Sequence, residues 1–333
     1  MIKELIPIRL KFFIKKMVYG LKLCSNYFYD LKRYLEFSGL VNYRNDGKKL
    51  IASIIRNYHV IEKGLTMPDM RAGFGQPRIK HLLNDCIFYI ETYGDSNTQL
   101  THSIKVINEY LEIHSFLNFQ LDPELKILYE RLKDRLKRDL SSNKQLEASK
   151  ESYFKHNKSD FKEFSESRHS LRNYCSDAVP YQDLVDAISL AQNSPSACNR
   201  QASRVYLITE KQEIDSILNL QGGNRGFGHL ADKLIIITAD VSVYCNFGER
   251  NQAFVDGGIH ALNILYSLHY YSIGACILNC SHDLLKDRQM RKLCNIPESE
   301  VFIAMISCGI PPKEFKIASS KRFPIEEILT IKG

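Results

Sequence analysis

Four consecutive apolar residues, Leu234–Ile237, sit between Lys233 and Thr238 in the stretch DKLIIITAD. Such a run has no polar alternation, so neither of its faces can lie in water. It reads as a buried strand with both faces covered. Other short apolar runs of strand character are SRVYLIT (203–209), GACIL (274–278) and VFIAMISCGI (301–310). Between them stand segments of helical spacing, YQDLVDAISLAQN and the long QAFVDGGIHALNILYSLHYY. Strands interleaved with helices make residues 161–333 an α/β or α+β unit of ordinary domain size.

The chain before this unit has a different texture. Residues 1–150 read as mostly helical: Leu50, Ile51, Ile54, Ile55 and Val60 recur at helical spacing, and IKHLLNDCIFYIETYG does the same before a Gly stop signal. LKILYERLKDRLKRDL (125–140) is a third, highly charged helix, and Gly73–Pro77 is a loop between two of these elements. The polar stretch 141–160 reads as a solvated connection, so the expected organisation is a helical region over 1–150, a linker over 151–160, and a second domain over 161–333. With 333 residues, 44% of them hydrophobic, there is material for two cores.

The first 24 residues carry Lys3, Arg9, Lys11, Lys15, Lys16 and Lys22 among apolar positions. These charges rule out the roughly 18 apolar residues of a membrane span. Two readings remain: an amphipathic helix packed on its own domain, or an interfacial helix on anionic lipid. The net charge of +7 comes with no zinc-finger spacing or other nucleic-acid signature, so no nucleic-acid partner is expected. Nine scattered cysteines without a secretory signal point to a reduced, cytoplasmic protein, with residues 1–24 leaving a membrane-peripheral placement open. No metal is expected: His59 and Glu62 have i, i+3 spacing but no third ligand nearby.

Four segments of the second domain could carry chemistry. SRHSLRNY places Arg168, His169, Ser170 and Arg172 at its entry, and paired guanidiniums suit phosphate oxygens. Near the other end KIASSKRFP gives Lys321 and Arg322, so that three or four cations would surround one phosphate if the two ends meet. NSPSACNRQ offers Asn199 and Gln201, whose amides both donate and accept, beside the small Pro195 and Ser196. It suits a flat, polar-edged ring. SIGACILNCS brings backbone N–H groups around Leu278 and Asn279 toward such a ring. Each segment alone is also what a charged face, a loop or a core strand looks like. QGGNRGFGHLAD lacks the signature of a phosphate loop and reads as a surface loop beside the site; the glycines of DGGIHA read as a close helix contact. No G-x-S-x-G elbow or local Cys–His signature points to nucleophilic catalysis.

Taken in order, Arg168–Arg172, NSPSACNRQ, VDGGIHALNILYSLHYYSIGACILN, CGIP and KRFP resemble the nitroreductase family of flavin enzymes over essentially all of 161–333. The resemblance implies an α+β sandwich around a central, mainly antiparallel sheet, FMN at the interface of a homodimer, and NAD(P)H (NADH or NADPH) as reductant. It implies that Arg168, Ser170 and Arg172 meet the FMN phosphate, ribityl chain or ring edge, with Arg322 and Lys321 completing the phosphate site. Asn199 would bond the pyrimidine edge, Pro195 and Ser196 would lie against the ring, Gln201 would act on the flavin or across the dimer, and the backbone at Leu278 and Asn279 would approach N5. His169 falls within the same motif. Where such a loop commonly continues with Pro and an aromatic residue, this chain has Ala202 and Ser203, and it has no Trp. The expected activity is ping-pong hydride transfer to a small organic acceptor; the alternative is a flavin-fold protein without turnover that serves as a binding partner.

Overall fold

The computed structural model describes residues 7–136, 141–142 and 144–333. Residues 1–6 of the basic start and 137–140 of the charged third helix lie outside the described residues. The first element, α1 (Ile8–Phe37), is a helix with no buried residue. Leu10, Ile14, Met17, Leu21, Cys24, Phe28, Leu31 and Leu35 follow one another in steps of four and three along one side, and the apolar side chains among them are 44–68% exposed. The ties to the body come from the opposite side. Asp30 pairs with Arg250 (2.7 and 2.8 Å), and Tyr19 packs edge-on to Phe247. The expectation that this segment packs an apolar face on its own domain is therefore corrected. No helix among the described residues is long and apolar enough to cross a membrane.

Four helices then build the first core: α2 (Gly47–Leu65), α3 (Gln76–Tyr93), α4 (Thr98–Phe116) and α5 (Pro123–Arg135). Leu50, Ile54, Tyr58, Ile61 and Leu65 form one stripe of α2 and pack on Leu82, Leu83 and Cys86 of α3 and on Leu100, Ile104 and Ile107 of α4. The starts of these helices are encoded locally. Asp46, Asn97 and Asp122 each accept from backbone N–H groups of a first turn, and Pro123 takes the first position of α5.

The segment read as a polar connection is structured. Residues Leu146–Ser149 form β1, and Lys150–Phe154 form α6, whose Tyr153 is buried. After α7 (Phe161–Ser167) and α8 (Tyr181–Ala191) come β2 (Ser203–Ile208), α9 (Lys211–Gln221), β3 (Lys233–Asp240), α10 (Gln252–Tyr270), β4 (Gly274–Asn279), α11 (Leu284–Cys294), β5 (Glu300–Gly309), β6 (Glu314–Ile317) and α12 (Ile325–Ile328). The main sheet has the order β2-β3-β5-β4 with every pairing antiparallel; β1 pairs with β6 in a separate two-stranded ladder. The fold is thus mixed α+β with a helical N-terminal region.

β3 shows why its sequence is apolar throughout. Leu234 and Ile236 face α9 and α11, through Ile214, Ile217 and Met290; Ile235 and Ile237 face α8 and α10, through Leu184, Ala187, Ile264 and Leu268. Each such side chain contributes about 1.5–3 kcal/mol by leaving water. Gly257 of α10 is a close contact, though with a strand rather than a helix: a Cβ there would lie 2.5 Å from Ile303 of β5. The QGGNRGFGHLAD stretch is packed rather than loose, with Phe227 and Ala231 each 1% exposed.

Candidate functional site

The entry segment is fixed by a buried anchor. Leu171 is 1% exposed, its N–H donates to Ala275 O (2.9 Å), and it fits only because Gly274 has no side chain: a Cβ there would be 2.3 Å from Leu171 Cδ2. Tyr174 lies in the same way over Gly309, and its hydroxyl reaches Leu171 O (2.9 Å) and Ser307 O (3.0 Å). Tyr153 donates to His169 O (2.6 Å). Leu171 turns into the core, while its neighbours Ser170 and Arg172 line a cavity.

The closing segment leaves β6 through Ser319 and Ser320. Ser320 has φ 44°, the left-handed region that side chains rarely adopt. Hydrogen bonds hold it and its two neighbours. Ser319 Oγ and Ser320 N donate to Glu62 of α2 (2.9 and 3.3 Å), Ser319 N donates to Gln145 (3.0 Å), and Gln99 of α4 donates to Lys321 O (3.5 Å).

These two segments line one cavity of about 1190 Å³. Arg168, His169, Ser170, Arg172, Lys321 and Arg322 all contribute to its wall, so the two ends of the domain meet. Leu262 and Tyr266 of α10 and Ile277 of β4 add an apolar side, and Ile55, Tyr58, His59 and Thr98 of the helical region close it. Glu166 is the one carboxylate in this wall, and none of Arg168, Arg172, Lys321 and Arg322 is ion-paired among the described residues. The titration of the neighbours follows. Burial, with Arg168 and Arg322 beside it, holds His169 below its ordinary value. Burial and the Arg172 guanidinium push Lys63 down. Burial raises the Cys276 thiol, although Arg172 and Lys63 oppose the rise. A cavity with this surplus of positive charge fits a multiply charged anion.

The amide loop lies elsewhere. Pro195, Ser196, Asn199 and Gln201 are absent from the cavity wall. Their turn holds three non-glycine residues at positive φ: Cys198 (55°), Asn199 (54°) and Gln201 (50°). Conformations of this kind cost on the order of 1–3 kcal/mol each and persist only where surroundings impose them. Here the surroundings are Asp256 of α10, which accepts from Ala197 N (3.2 Å) and Tyr244 Oη (2.9 Å), and the Arg200–Glu249 ion pair. The side chains of Asn199 and Gln201 are exposed. Leu278 turns into the core and the Asn279 carbonyl accepts from Gln221 Nε2 (3.0 Å), while Ile277 is the β4 residue that faces the cavity. Sequence reasoning thus did not reach Tyr58, Thr98, Ile277 or Asp256; His59 and Glu62 stood out only as an i, i+3 pair.

Residues 166–225 match the model of the Nitroreductase family. Among solved structures, the chain is similar to a putative NADH oxidase from Clostridium acetobutylicum (22% identity, 51% of this chain and 99% of that one, TM-score 0.45). It is also similar to a nitroreductase family protein from Streptococcus pneumoniae TIGR4 (19%, 52% and 100%, TM-score 0.46) and to a putative NAD(P)H:FMN oxidoreductase from Staphylococcus epidermidis (15%, 52% and 96%, TM-score 0.47). No curated protein matches the chain.

Proposed function

We infer that a chain whose residues 166–225 match the Nitroreductase family is an FMN-dependent oxidoreductase, passing a hydride from NAD(P)H to a small organic acceptor by a ping-pong cycle. The observation that carries this reading is the meeting of Arg168, Arg172, Lys321 and Arg322 around one cavity, none of them ion-paired among the described residues. Arg168, Lys321 and Arg322 are assigned to the phosphate, where each charge-assisted contact contributes about 1.5–3 kcal/mol. Ser170 is assigned to the ribityl chain. Arg172, aimed by the buried Leu171, is assigned to the ring edge, where a cation stabilises negative charge. His169, kept neutral by its surroundings, is a hydrogen-bonding wall. The bound flavin supplies the hydride chemistry, which is why the chain needs no acid–base pair of its own.

The amide loop enters this reading through a second copy. Pro195, Ser196, Asn199 and Gln201 stand apart from the cavity within one protomer, and α10 runs between the two places: Ser194 touches Asn263 (2.9 Å), while Leu262 and Tyr266 line the cavity. Phe254, Val255, Ile259 and Leu262 leave an apolar ridge of α10 exposed, which supports a homodimer across it. In such a dimer Asn199 and Gln201 would reach the partner's ring edge, and the backbone at Leu278–Asn279 remains the proposed approach to N5. A second reading, a flavin-fold protein that acts as a binding partner without turnover, draws on the exposed apolar side of α1. Anaerobic mixing separates the two. Bleaching of the bound flavin by NADH or NADPH, followed by reoxidation with a quinone or nitro compound, supports the oxidoreductase. A flavin that stays oxidised supports the binding partner.

A further inference from the structure

The helical region lies outside the matched stretch, yet α2 supplies Tyr58 and His59 to the cavity wall. Behind His59, one turn further along the helix, sits Glu62, which is fully buried. Its carboxylate accepts from His102 Nε2 (2.8 Å), Ser319 Oγ (2.9 Å), His59 Nδ1 (3.2 Å) and Ser320 N (3.3 Å). Burial alone would raise its pKa, but the hydrogen bonds from His102, His59 and Ser319 bring it down to about 2, so it is a carboxylate at any working pH. Removing a buried charge from water is costly unless several donors compensate it, and here they come from α2, α4 and the closing segment together.

Two consequences meet in the cavity. Because Nδ1 of His59 faces the carboxylate, it carries a proton, and Nε2 is the ring nitrogen left on the cavity wall, in a side chain that is 36% exposed; it donates to an anion once the ring takes up a second proton. The same carboxylate also fixes Ser319 and the strained Ser320, from which Lys321 and Arg322 project. One buried charge therefore sets both sides of the mouth through which an anion would be held.

We propose that the helical region is a working wall of the phosphate site: His59, taking up a second proton from solvent as the anion binds, donates from Nε2–H to the phosphomonoester held by Arg168, Lys321 and Arg322, and Glu62 is the positioning residue for both His59 and the Ser319–Arg322 turn. This rests on the FMN reading above and extends it to residues outside the matched family stretch. A phosphomonoester carries about 1.5–2 negative charges near neutral pH and three acceptor oxygens, enough for a fourth donor besides the three cations.

FMN and riboflavin differ only by that phosphate, which makes the pair a direct probe. The apo full-length chain and its His59→Ala, His59→Gln and Glu62→Gln variants are titrated with each flavin by fluorescence quenching. The expected result is an FMN Kd raised about tenfold or more by His59→Ala and Glu62→Gln, the worth of one charge-assisted contact, with riboflavin affinity unchanged. His59→Gln, which keeps a donor, recovers part of the loss. His59 is partly exposed, so its variants fold even if Glu62→Gln does not. Unchanged FMN affinity in His59→Ala, or equal weakening of both flavins, overturns the proposal. A wild-type chain that takes up neither flavin refutes the FMN reading instead. Inorganic phosphate then decides: thermal protection that is lost in His59→Ala upholds the anion wall, and protection that is absent or equal in both chains overturns it.

Discussion

His269 illustrates how far the cavity's charge reaches. It is 2% exposed, its Nε2 meets Ser167 Oγ at 2.8 Å, and its Nδ1 has no hydrogen-bond partner among the described residues. Burial, with Arg168 and His169 nearby, pushes its pKa down to about 4 from an ordinary 6.5. The folded chain therefore requires the neutral ring. The stability this ring supports is fully present above pH 6.5 and is lost as pH falls toward 4, by on the order of 3 kcal/mol. Urea midpoints measured from pH 7 to 4 should fall steeply in the wild type and less steeply in His269→Gln; parallel curves would contradict this. At the same scale, the cations were legible in the sequence because guanidinium pairs stand out in SRHSLRNY and KRFP. Their meeting was legible only through the family resemblance and not from local spacing, since it depends on Gly274 and Gly309 admitting Leu171 and Tyr174. Asp256 looked like part of a glycine motif, and only the fold shows it holding the turn at Ala197.

Elements were legible where one physical demand ruled a whole segment. β3 is apolar at consecutive positions because two helical layers cover it, and α2 shows its stripe because one side meets the core. α4 was not read from its spacing, because Gln99, His102, Ser103, Glu109 and His114 occupy buried positions and blur the pattern. Those residues are polar for a reason: His102 and Gln99 reach Glu62 and Lys321 at the cavity mouth. Between elements, Gly257 lets α10 approach β5 closely, against Ile303. Gly257→Ala should destabilise the chain by about 1–3 kcal/mol through overpacking, and Ile303→Val in the same chain should restore part of it. Calorimetry showing no change would contradict the contact. α1 makes the opposite prediction. Its ties to the body are exposed or half-exposed ones, the Asp30–Arg250 ion pair, the Tyr19 and Lys22 contacts with the Phe247 ring and a hydrogen bond from Lys49 to Glu36 O (2.9 Å), so removing residues 1–37 should move the thermal midpoint by no more than about 2–4 °C. A larger drop would mean that the helix carries part of the core.

On the scale of the molecule, the helical region and the sheet domain share one site. β1 pairs with β6, Gln145 joins Glu109 of α4 to Ser319, and Thr98 of α4 donates to Glu327 beyond the closing basic pair (3.0 Å). A polar stretch such as 141–160 gave no hint of this, because a two-stranded ladder between distant segments leaves almost no mark on local composition. The cavity so enclosed is proposed to hold FMN. The most direct test is the absorbance spectrum of the purified full-length chain after saturation with FMN and removal of excess, before and after denaturation, with the released chromophore weighed by mass spectrometry. The expected result is a yellow protein that releases stoichiometric FMN, and a loss of most of it in Arg168→Ala or Arg322→Ala at the same protein concentration. A chain that stays colourless after saturation would contradict the claim.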